Sequence, residues 1–266
     1  SLRRERQMCI RDRYLKINYF CLMKILKKIR FFHIFIFSLF FVFSCETDNE
    51  LKIGIQFRHF VDQNELEFNN LIYQNEAGNS YSIERLLYVI SDLTLFLENG
   101  DVLNLDNYYF INLNDEINFN LNNINITSPC VSVSFTYGFS QENNLTNLYL
   151  NDSGNFHDLM LWPNTMGGGY HYMKLEGKYL DNTGQQKFYN THSGGLNSND
   201  YSVDYFFDIE PTEDNSRINI NMNINNIYNN PIYDFNYYGS AIMNNEEAQS
   251  IIQVNMFDDV FTISDN

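Results

Sequence analysis

The sequence predicts an all-β fold: two antiparallel sheets packed as a sandwich or jelly roll, a single domain with one or two short helices. Three observations predict it. Apolar and polar residues alternate with period two through most of the chain after residue 50. Clusters of Asn, Asp, Gly and Ser, the residues of turns, separate the alternating runs. No stretch of helical period lasts more than a few turns, which leaves sheet-on-sheet packing as the natural layer arrangement.

Taken in order, "LKIGIQFRHF" sets Leu51, Ile53, Ile55, Phe57 and His59 on one face of a strand, with Lys52, Gln56 and Arg58 opposite. "SIERLLYVIS" (82–91) can open with one helical turn before it extends. "VSVSFTYGF" places Val131, Val133, Phe135 and Tyr137 together. "HYMKLEG" alternates His171, Met173 and Leu175 against Tyr170, Tyr172 and Lys174, and residues 217–224 alternate Ile218, Ile220, Met222 and Ile224 with polar residues. "NNEEAQSIIQVN" (244–255) is the best helical stretch. No linker divides 51–266, which reads as one β domain.

The first 45 residues differ from the rest. Met23 begins "MKILKKIRFFHIFIFSLFFVFSC": a basic start, an apolar run from Phe31 to Phe43, then Ser44-Cys45. Residues 23–44 therefore read as a secretory signal peptide, its apolar core short for a membrane span. Ser44-Cys45 resembles a bacterial lipobox, so Cys45 is expected to carry lipid, with 45–50 as a tether. Residues 1–22, with the adapter-like "QMCIRDR", are expected to be a non-native or mis-assigned leader. Export, with lipid anchoring in the cell envelope at the outer membrane, follows as the expected location.

Of the 17 Lys and Arg, ten lie in residues 1–45; of the 33 Asp and Glu, two do. Residues 46–266 thus carry seven basic and 31 acidic side chains, a formal charge near −24. A nucleic-acid partner is unexpected, because phosphate binding needs a basic footprint. Contact with a membrane must come from the acyl anchor. Cys130 is the one cysteine after Cys45, so no internal disulfide is available, and a small buried hydrophobe is its natural role.

The chain shows no G-x-S-x-G elbow, no H-E-x-x-H, no phosphate-cradling loop and no C-x-x-C, and it is not expected to be an enzyme. Histidine is more specific. His59, His171 and His192 sit in or at the ends of strands, and neutral imidazoles are good ligands for copper and zinc. The alternative reading is core histidines in a glycan- or ligand-binding β-sandwich without metal, its aromatics stacking on sugar rings.

"LWPNTMGGGYHYMKLEGKY" (161–179) concentrates the only tryptophan, three consecutive glycines and His171. Together with residues 57–96, "SVSFTYGF" (132–139) and "THSGG" (191–195), it resembles the MbnP-like family of secreted copper-binding β-proteins, in the lipoprotein branch from Bacteroidota. The resemblance implies one copper ion, oxidation state open, bound or handed on through a histidine site. His59, His192 and His171 are the ligand candidates. Trp162 is the candidate for oxidation to kynurenine by a dihaem partner enzyme, and Met173 is a nearby soft residue. Met160 and Met166 are further thioethers, with core filling as their alternative role. The expected geometry is a pocket walled by residues 159–180 and closed by His59 and His192.

Overall fold

The structure, a computed structural model, describes residues 51–264 apart from 117, 153 and 211–216. The expected leader, signal peptide, lipidated Cys45 and tether, up to residue 50, lie outside the described residues. Residues 50–266 form a unit of their own.

Among the described residues, thirteen strands make two sheets. In the first, β1 (Leu51–Val61) is flanked by β12 (Arg217–Asn223) and β7 (Phe119–Ile126), with β13 (Phe261–Ser264) outside β12 and the two-residue β2 (Asn64–Glu65) beside β1. The second is organised by β4 (Ser80–Leu97). It pairs with β9 (His171–Leu180) over residues 81–88 and with β8 (Cys130–Tyr137) over residues 90–97. β6 (Tyr108–Asn112) meets β4 at 87–91 and β5 (Val102–Asn104) meets it at 94–96. β6 overlaps both the β9 and β8 ranges, so β9 and β8 must follow one another along one edge of β4 while β6 takes the other. β10 (Gln186–Gly194) lies outside β9, and β11 (Val203–Asp208) outside β8.

Alternation builds the space between the sheets. Phe57 of the first sheet meets Phe135 of the second at a centroid separation of 5.6 Å, and Phe261 meets Phe135 at 5.4 Å. Edge-on and tilted rings of this kind fill a core with large apolar area per residue. Cys130 is buried and free within it, its thiol donating to the Ser132 carbonyl.

Three features depart from the sequence expectations. The helical turn at 82–91 is absent, because all of "SIERLLYVIS" lies inside β4. Residues Leu86 to Ile90 are buried consecutively, as happens in a central strand covered on both faces. Secondly, β1 and β12 run parallel, a pairing reached through a long connection, here most of the domain. Finally, the described residues hold three α-helices where one or two were expected: α1 (Phe156–Met160), α2 (Phe235–Tyr238) and α3 (Glu246–Phe257). α3 is the helix expected at 244–255. Asn245 caps it by accepting from the Ala248 amide, Glu246 and Glu247 suit its positive end, and Ala248, Ile252 and Met256 form its buried face.

Candidate metal centre

Trp162 is held by the segment that joins α1 to β9. It is fully buried; its amide donates to the Gly169 carbonyl and its indole N–H to the Met166 carbonyl. Its ring lies against the backbone of β10 at Gly194, where an added Cβ would come within 2.8 Å of the indole. A side chain at 194 would therefore lift the tryptophan away. The glycine run makes the return into β9. Gly168 and Gly169 have φ of 73° and 86°, which L side chains rarely adopt. Thr146 Oγ1 accepts from the Gly169 amide at 2.8 Å and Asn144 Oδ1 from the Tyr170 amide at 2.7 Å, so the loop is pinned where it turns.

A bulge then decides what faces what. Met173 pairs with Ser193, but His171 pairs with Gly194, which leaves Tyr172 as the extra residue on β9. Side-chain alternation is broken there. Met173 stays on the inner face, opposite Tyr88 of β4, while His171 joins Lys174 and His192 on the outer face. The rings confirm it. His171 and His192 have centroids 5.2 Å apart at 85°, and Trp162 and His171 are 4.6 Å apart at 73°.

His171 is 3 % exposed, and its Nδ1 lies 3.0 Å from the Met160 carbonyl. A carbonyl only accepts, so Nδ1 carries the proton and Nε2 carries a lone pair. That Nε2 is buried and has no hydrogen-bond partner. Burial, then the charge of Lys174, then His192 push the His171 pKa down to about 2, so the ring is neutral. Leaving such a nitrogen unsatisfied costs about 1–3 kcal/mol.

His192 is arranged differently. Its Nε2 donates to Glu176 Oε1 at 2.8 Å, leaving Nδ1 as the other ring nitrogen, and its carbonyl accepts from Gln249 of α3. Glu176 also faces Arg85 at 3.6 Å. The hydrogen bond from His192 is the main cause that holds the Glu176 carboxyl below its ordinary value. A carboxylate fixing one imidazole nitrogen so that the other points elsewhere is a common orientation behind a metal-bound histidine.

His171, His192 and Trp162 therefore come together. His59 does not join them: from the first sheet it reaches the inner face of the second, its Nε2 2.8 Å from the Tyr88 hydroxyl. Met173 lies on that inner face too. Met160 and Met166 meet the site through their carbonyls. Lys174, Glu176 and Gln249 were not singled out as site residues in the sequence. The first two lie within "HYMKLEG", and only their pairing with β10 places them beside His192. Among the described residues, no three His, Cys, Asp or Glu side chains gather closely enough to hold a metal ion.

The neutral state of His171 has a pH consequence. Its folded pKa lies below the unfolded value of about 6.5, so below that pH the unfolded chain binds the extra proton and stability falls. Between pH 7.5 and 5 the metal-free protein is expected to lose about 2 kcal/mol from this group. Urea unfolding at both pH values checks it: His171→Gln should show a pH dependence shallower by that amount.

The family model MbnP matches residues 50–244. The chain belongs to the MbnP family. The matched region contains His59, Trp162, His171 and His192. Among solved structures, the chain is similar to MbnP from Methylosinus trichosporium, with a TM-score of 0.51 and 9% identity over 67% of this chain and 78% of that one. At that identity, the likeness to the Methylosinus MbnP concerns the fold. No curated protein matches the chain.

Proposed function

We propose that this MbnP-family domain binds one copper ion through His171 and His192, beside Trp162, and holds or hands it on without chemistry of its own. The observation that carries this reading is the buried, unprotonated and unpartnered Nε2 of His171, in ring contact with a second imidazole whose Nε2 is already engaged.

The residues present fit such an ion. A metal–nitrogen bond of about 2.0 Å places an imidazole centre about 3.2 Å from the metal. Two such rings on one ion have centres about 4.5–6.4 Å apart, and the observed 5.2 Å falls inside that range. Two imidazoles fall short of the four ligands a structural zinc takes, whereas a soft monovalent copper ion is content with fewer. His171 and His192 would each give a lone pair. Glu176 and the Met160 carbonyl hold their rings, and Trp162 excludes water.

Export and lipidation at Cys45 complete the proposal, placing the domain on an envelope membrane, the outer membrane, with its acidic body in solution. Family resemblance also supports a dihaem enzyme as the partner that oxidises Trp162. The glycan-binding alternative would rest on exposed aromatics. Most described aromatic rings are buried, and Phe188, Phe206, Tyr237 and Phe257, the ones exposed beyond half, sit on four different elements.

Copper content after loading and gel filtration tests the reading. One copper per chain is expected; none retained would overturn it.

A further inference from the structure

Lys174 brings an ammonium group into the histidine site, in a domain with only seven basic side chains after residue 45. It is directly opposite His192 across the β9–β10 ladder, and its Nζ donates to the Leu159 carbonyl. His171 is held by the next carbonyl, that of Met160. The last turn of α1 thus seats the ammonium and the neutral imidazole on consecutive peptide oxygens, where open carbonyls favour donors and positive charge.

One carboxylate, Glu176, acts on this charge, and it is shared with two other groups. Glu176 is the carboxylate of this face, but its Oε1 accepts from His192 and faces Arg85, while the next carboxylate along the sheet, Glu84, pairs with Lys178 at 2.6 Å. Among the described residues Lys174 makes no ion pair. Two cations, Arg85 and Lys174, thus share the one carboxylate of Glu176, and these three groups sum to one net positive charge beside the two imidazoles. This runs against the domain as a whole, whose formal charge after residue 45 is near −24. An anion-rich protein that places a fixed cation beside its candidate metal ligands penalises ions in proportion to their charge.

We propose that Lys174 sets the charge preference of this site, admitting a monovalent metal ion and discriminating against divalent ones. The inference rests on the copper reading above and deepens it. Coulomb work is linear in the charge of the incoming ion, so removing one fixed positive charge changes the logarithm of divalent affinity twice as much as that of monovalent affinity.

The experiment compares Cu(I) and Zn(II) affinities by chelator competition at pH 7.5 and fixed ionic strength. It uses the wild type, Lys174→Met, Lys174→Gln, which keeps a donor for the Leu159 carbonyl, and Lys174→Arg, which keeps the charge. In both neutral variants, Zn(II) binding is expected to tighten at least about tenfold, by roughly the square of the Cu(I) gain. Lys174→Arg should keep the wild-type ratio. Equal factors for both metals, weakening of both, or Lys174→Arg behaving like the neutral variants would overturn the role of Lys174 while leaving the copper site standing. A wild type that binds neither metal, or whose Cu(I) affinity is unchanged by His171→Ala/His192→Ala, would overturn both. Misfolding of Lys174→Met alone would leave Lys174→Gln to decide.

Discussion

Trp162→Ala is expected to lower stability by about 3–5 kcal/mol, the range for a fully buried large aromatic cut to a methyl. The side chain is buried on every side: the bare backbone of Gly194 beneath it, His171 edge-on against it, and the Met166 carbonyl on its N–H. Removing it opens a cavity against the His171 ring and admits water there. Chemical denaturation measures the first consequence. The second is a shift of the His171 pKa back toward its ordinary range, visible in the ring-proton chemical shifts on titration. Trp162→Phe keeps the apolar packing without the indole N–H and should recover most of the stability. A Trp162→Ala protein as stable as the wild type would mean the loop does not seal the site.

The second large effect separates the three histidines. His171→Ala/His192→Ala is expected to weaken Cu(I) binding at least 100-fold, while His59→Ala leaves it within about threefold. His59→Ala should instead cost about 2–4 kcal/mol of stability. It opens space between the sheets and strips the buried Tyr88 hydroxyl of its imidazole partner. The two variants therefore invert one another, one losing metal and the other losing stability.

Much of this architecture was legible in residue order. Ile53, Ile55, Phe57 and His59 do point inward together, with Leu51 at the strand's start left exposed, and Ile218, Ile220, Met222 and Ile224 are buried likewise, because one buried face imposes period two. The helix expected within 244–255 is there as well, over Glu246–Phe257. Strand β4 was less legible: with both faces covered, "RLLYVI" loses its alternation and imitates a helical run. Strand direction was hidden as well, since alternation says which face is buried and not which way a neighbour runs. This is how the parallel β1–β12 pair escaped.

Within the candidate site, Trp162 and His171, drawn from one stretch with the glycine run between them, do lie against one another. The face of His171 did not follow from alternation. One extra residue at Tyr172 moved His171 away from Met173 and toward His192, and a bulge leaves no mark in apolar–polar spacing. Glu176 and Lys174 became visible as neighbours only once β9 and β10 were paired. The gathering of three histidines is replaced by a pair, with His59 serving the core from the other side of the sheet.

The most direct test is a Cu(I) competition titration of the purified protein against a chromophoric chelator, run beside His171→Ala/His192→Ala and His59→Ala. One tight copper per chain is expected in the wild type, retained in the His59 variant and lost in the double variant. Copper held equally well after His171 and His192 are removed, or lost with His59 alone in a folded protein, would contradict it.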